Sequence, residues 1–175
     1  VDNANDVGGS GYTVQGITFG TGGISFVEAE AVLIRDVTLD TVATGISLTD
    51  CFGPRIDNVV ATDGSGAGIF IEATVAGAGN GAMIHNCSMD GQGQGIVLSN
   101  VGHGTMSQCQ VRNSTTHAIQ LNGSDSWNIT DCHMSSNLTG GWAADRLGLL
   151  VHCDCLDAIC SSATWGLSWM GRNRP

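Results

Sequence analysis

The chain has no lysine, only two prolines and one tyrosine, and no run of about 18 apolar residues. Without lysine, six arginines face sixteen acids, for a net charge of −10. Such a surface cannot neutralise many phosphates, which argues against nucleic acid and anionic membrane as partners. The missing apolar run argues against membrane insertion. Few charges and prolines, set against 26 glycines and many Ser, Thr, Asn and Asp, favour short strands joined by tight turns over long helices. A length of 175 residues suits one domain. Seven cysteines is an odd number, so at least one thiol stays unpaired in a monomer, which argues against a disulfide framework. The chain starts at Val1 with no signal-peptide pattern and reads as a processed chain or a piece of a longer one.

What the chain does have is a repeat. "VQGITF", "IRDVTL", "IDNVVA", "IHNCSM", "MSQCQV", "ITDCHM" and "LVHCDC" follow one another, their third residues being Gly16, Asp36, Asn58, Asn86, Gln108, Asp131 and His152. A glycine motif follows each: "GISF" at Gly23, "GISL" at Gly45, "GIFI" at Gly68, "GIVL" at Gly95, "AIQL" at Ala118, "GWAA" at Gly141 and "GLSW" at Gly166. Both motifs alternate apolar and polar residues and are bounded by turn formers, which is strand behaviour. A period of about 22 residues holding two or three strands matches one coil of a parallel solenoid.

The pattern "I-x-N-C-x-M" followed by "G-I-x-L" resembles the right-handed parallel β-helix of the pectate-lyase-like superfamily, which includes pectin-degrading enzymes and phage tailspikes. The resemblance implies an all-β solenoid of about seven coils over residues 12–170, with a lead-in at 1–11 and a tail at 171–175. It also implies that the third motif residue sits at a left-handed bend, which Gly, Asp and Asn tolerate best. Gln108 and His152 depart from that preference. Seven coils about 4.8 Å apart make a prism of roughly 30 Å. So short a stack with two open ends is expected to be a fragment or a subunit of an assembly.

Alternation assigns faces. Ile17, Val37, Val59, Cys87, Cys109, Cys132 and Cys153 point inward, so four thiols stack on one another. Phe19, Leu39, Ala61, Met89, Val111, Met134 and Cys155 form a second inward column. Buried free thiols acting as small hydrophobes are the favoured reading of the stack, and no metal site or cofactor is expected. A Cys155–Cys160 disulfide is open in an oxidising compartment.

The outward row of the glycine-motif strand is Ser25, Ser47, Phe70, Val97, Gln120, Ala143 and Ser168, which supplies no base and no carboxylate. Lyase chemistry needs a cation and a base, and hydrolysis needs two carboxylates. The weak catalytic candidates are therefore the acids just beyond this strand, Glu28, Asp50 and Glu72. Phe70, Val97, Gln120 and Ala143 form a candidate contact surface, adjacent apolar residues on a polar solenoid. Before the bend, Arg35, Asp57 and His85 read as a surface charge ladder, and after it Thr38, Ser88, Gln110 and His133 as plain surface. The resulting expectation is a structural or receptor-facing module of a virion (tailspike, tail fibre or decoration protein), located in a virion or outside the cell. It would be a homo-oligomer, a trimer by the resemblance, contacting a surface polysaccharide or other virion proteins. The alternative is a polysaccharide lyase or glycoside hydrolase; the balance is against an enzyme.

Overall fold

In the computed structural model, residues 10–76, 78–124 and 126–138 are described in full, together with the backbone of the strands at 140–144, 150–155, 160–162 and 168–169. The first coil holds β1 (Thr13–Gln15), β2 (Thr18–Phe19) and β3 (Ile24–Val27); the second, β4 (Leu33–Asp40) and β5 (Ile46–Thr49); the third, β6 (Arg55–Thr62) and β7 (Ala67–Glu72). The fourth has β8 (Met83–His85), β9 (Ser88–Asp90) and β10 (Gln94–Ser99); the fifth, β11 (Thr105–Ser107), β12 (Gln110–Arg112) and β13 (His117–Asn122). β14 (Asn128–Ser135) and β15 (Gly140–Ala144) make the sixth, and β16 (Leu150–Cys155) and β17 (Cys160–Ser162) the seventh; β18 (Ser168–Trp169) opens an eighth. The fold is an all-β parallel solenoid: a seven-stranded sheet of β3, β5, β7, β10, β13, β15 and β17 faces an eleven-stranded sheet folded at the bend.

The bend is where the repeat placed it. Gly16, Asp36, Asn58, Asn86, Gln108 and Asp131 all have φ between 51° and 67°. Gln108 thus adopts the left-handed conformation in spite of its side chain. Three further left-handed columns mark the other corners of the coil: Thr41, Asp63, Gly91, Asn113 and Ser136 after the bent sheet; Glu28, Asp50, Asn100 and Gly123 after the flat one; Gly11, Ala31, Gly53, Gly81, His103 and Ser126 before the next turn of strand. A left-handed residue with a Cβ costs roughly 1–2 kcal/mol, so these corners persist because the hydrogen bonds between coils over-determine them.

The inward columns are continuous and buried. Ile24, Ile46, Ile69, Ile96 and Ile119 stack in register on the flat sheet, and Val37, Val59, Cys87, Cys109 and Cys132 are buried on the bent one. Ile17 is the exception: in the first coil it retains 40% of its exposure. Three of the glycines that open flat-sheet strands have a cross-prism reason. A Cβ at Gly45 would meet the Leu39 side chain, one at Gly68 the Met89 thioether, and one at Gly95 a Val111 methyl. The glycine column is therefore the socket for the second inward column of the opposite wall.

Two pattern matches at the C-terminal end are corrected by register. "GLSW" is not the seventh flat-sheet strand: β17 pairs with β15, Ala143 opposite Ser161, while Ser168 and Trp169 pair with Leu150 and Val151 of the bent sheet. In "LVHCDC", His152 lies opposite Thr130 and not opposite Asp131, and the register shifts before Asp154 meets His133. The stretches 1–9 and 171–175 of the expected lead-in and tail lie outside the described residues.

Candidate functional site

Strand pairing stacks Gln15, Arg35, Asp57, His85, Ser107 and Thr130 on the outer face before the bend. Beside them runs the bend column. Arg35 Nη2 donates to Gln15 Oε1 at 2.7 Å, Gln15 Nε2 to Asp36 Oδ2 at 3.3 Å, and Asn58 Nδ2 to Asp36 Oδ1 at 2.8 Å. Asn86 Nδ2 continues to Asn58 Oδ1 at 3.4 Å. His85 Nδ1 lies 2.8 Å from Asp57 Oδ1, and its Nε2 lies 3.1 Å from Gln108 Oε1. The expected Arg35–Asp57–His85 ladder is thus redistributed: Arg35 turns to Gln15, and Asp57 serves His85. Gln108 has a visible reason to be longer than the asparagines above it, since its amide reaches back one coil to the imidazole. The His85–Asp57 pair is half-exposed and weak in energy; what the strip provides is order. Between Gln15 and Gln108 its polar side chains are held by one another across the coils in two adjoining networks.

The three acids do not come together as one carboxylate group. Glu72 pairs with Thr49, one residue before the corner that Glu28 and Asp50 share. Asp50 is only 6% exposed. Its Oδ1 accepts from Thr74 N at 2.7 Å and Val75 N at 3.0 Å, and its Oδ2 from the Thr74 hydroxyl. Burial works to raise the Asp50 pKa, but the hydrogen bonds from the Thr74 hydroxyl and the Val75 and Thr74 amides outweigh it, leaving the pKa below its ordinary 3.8. The carboxylate caps the insertion at 73–81. Asn80 ties the far end of that insertion, its carbonyl accepting from Gly53 N at 3.1 Å and its Oδ1 from Gly102 N at 3.0 Å.

On the flat sheet, Ser25, Ser47, Phe70, Val97, Gln120 and Ala143 stack as expected. Exposure differs from the expectation of an open apolar pair: Val97 is 3% exposed and Phe70 half-buried. Gln120 is engaged, its Oε1 accepting from Gln94 Nε2 at 2.8 Å and its Nε2 donating to Asn122 Oδ1 at 2.9 Å. The side chains of Ala143 and Cys153 lie outside those described. The exposed large apolar residues, such as Phe52, Val60 and Met83, stand on different rows and form no single stripe.

Cys87, Cys109 and Cys132 are buried free thiols. Each donates to the carbonyl two residues earlier in its own strand, His85, Ser107 and Thr130. For Cys109, a hydrogen bond with the Cys132 thiol works to lower the pKa, but the Cys87 sulfur and burial outweigh it and push it up to about 12. All three are wall groups. Cys132→Ala is expected to lower unfolding free energy by roughly 1–2 kcal/mol in chemical denaturation; an unchanged midpoint would mean the column is not packed. Cys51, which lies outside the repeat motif, is a fourth buried thiol, its Sγ 3.6 Å from Phe26 O.

No curated protein and no solved structure matches the chain. A family model does, over residues 3–146, and its description is Periplasmic copper-binding protein (NosD). Since that span holds all but the last part of the solenoid, the chain belongs to the NosD family.

Proposed function

We propose that the chain is a non-cytoplasmic β-helix module that works by presenting a rigid polar surface, and that its working face is the hydrogen-bonded strip at the bend. One observation carries this. From Gln15 to Gln108, side chains on consecutive coils are fixed by one another and spaced by the coil repeat of about 4.8 Å. A pre-ordered row loses little side-chain entropy when an extended, hydroxyl-rich polymer lies along it. The narrower form of the reading is a receptor-facing part of a virion, such as a tailspike or decoration protein, trimeric and contacting a surface polysaccharide. The periplasmic description of the family supports the non-cytoplasmic placement.

The copper of that description does not fit the residues described. Among them, no three His, Cys, Asp or Glu side chains converge into a metal-holding group. The thiols are buried donors to their own strand, and Met89 spends its thioether on the space over Gly68. Both ring nitrogens of His85 are engaged. No step is assigned to copper.

Light scattering of the full chain, combined with binding to a panel of immobilised polysaccharides, tests the reading. The expected result is a trimer retained by at least one polysaccharide, with retention weakened by Arg35→Ala and no reducing ends released. Reducing-end release abolished by Glu72→Gln would instead make the protein an enzyme and sink the proposal.

A further inference from the structure

A rule recurs on the inside of the corners. Where a left-handed residue turns the chain, the next amide N–H and the carbonyl three residues before it both face the interior. At three of these corners a side chain from the following coil bridges them. After Asn100, Ser124 Oγ accepts from Val101 N at 3.1 Å and donates to Leu98 O at 3.0 Å. After Asn113, Asn137 does the same with its amide: Oδ1 accepts from Ser114 N at 3.0 Å and Nδ2 donates to Val111 O at 3.2 Å. After Glu28, Cys51 plays the part, its thiol directed at Phe26 O and receiving the Ala29 N–H.

At the corner after Gly91, the equivalent groups are Gln92 N–H and Met89 C=O, and the side chain that should bridge them is Ser114. The column is fixed by backbone bonds, Thr115 N to Gln92 O at 2.9 Å and Leu138 N to Ser114 O at 2.9 Å. Ser114 is 1% exposed and its hydroxyl has no partner among the described residues. On the next coil this position carries an asparagine, and the amide of Asn137 reaches across to Ser114 N and Val111 O. Serine is shorter by that amide. The Gln92 amide does not supply the link, because its Oε1 lies over Gly64 on the preceding coil, in the space a side chain there would fill.

We propose that one buried water completes this corner. It accepts from Gln92 N–H, donates to Met89 C=O and is hydrogen-bonded to Ser114 Oγ, standing where an asparagine amide stands one coil later. Three hydrogen bonds are what a buried structural water ordinarily makes.

A crystal structure of the full chain at a resolution that shows ordered water, and the thermal midpoints of two variants, test it. The expected density is a single water in contact with Ser114 Oγ. Ser114→Asn should expel it, place the new amide on Gln92 N and Met89 O, and leave the midpoint unchanged or higher. Ser114→Ala should lower the midpoint by about 3 °C, because the water loses a partner. A dry corner in the wild-type crystal overturns the proposal. So does a Ser114→Ala protein more stable than wild type, the result expected of a hydroxyl that is simply orphaned. If Ser114→Ala does not fold, the wild-type density alone decides.

Discussion

Gly95→Val is expected to cost about 3 kcal/mol or more, leaving a protein that unfolds at much lower denaturant than wild type. A Cβ at position 95 would collide with the Ala118 carbonyl of the next coil and with the Val111 methyl from the opposite wall. The carbonyl belongs to a strand paired on both sides and cannot swing away, and the methyl belongs to a fully buried column. Gly20→Ala is the matched control, since nothing lies within 4 Å of its added carbon. Equal denaturation midpoints for the two variants would refute the socket role of the glycine column.

Asp50→Ala ranks next, with an expected loss of about 2–3 kcal/mol. The substitution strips two backbone amides and one hydroxyl of their acceptor and puts alanine at φ 54°. Acid should have a similar effect. Because the folded pKa of Asp50 lies below its ordinary 3.8, its contribution is complete well above pH 3.8 and is lost as pH falls through the lower folded value. Stability measured from pH 7 downwards should therefore fall less steeply in Asp50→Asn than in wild type once the pH drops below 3.8. Parallel acid limbs would show that the carboxylate charge is not what holds the insertion.

The architecture was legible because two local signals repeat: a bend residue that tolerates positive φ, and period-two alternation on each side of it. Those signals give direction, not exposure. Val97 points outward as alternation requires and is still covered, while Ile17 points inward in a first coil that leaves it exposed. They also cannot name a partner wall. The glycine motif is visible in sequence, but its reason, a socket for Leu39, Met89 and Val111, appears only when the opposite sheet is in place. "GLSW" shows the cost of matching letters alone, since its Ser168 and Trp169 belong to the other sheet. Asp50 stands out in sequence as an acid near the sheet, yet its partners lie 24 and 25 residues away in an irregular insertion that no periodicity predicts. The polar strip was half legible: stacking put Asp57 beside His85, but Arg35 chose Gln15 by side-chain reach.

Among the described residues every ladder joins strands in parallel, one coil apart. The described residues therefore contain no hairpin from which folding could begin. Its first stable contact must close a loop of roughly one repeat at full entropic cost, whereas each later coil meets a finished edge and repeats the same modest closure. Refolding is expected to be slow to start and fast to propagate, with hydrogen exchange quickest in the coils at the ends of the stack and slowest in the middle, around β8 to β13. A solenoid of this kind is in kinetic terms a zip, and the hardest substitutions to tolerate should be those in the coil that starts it.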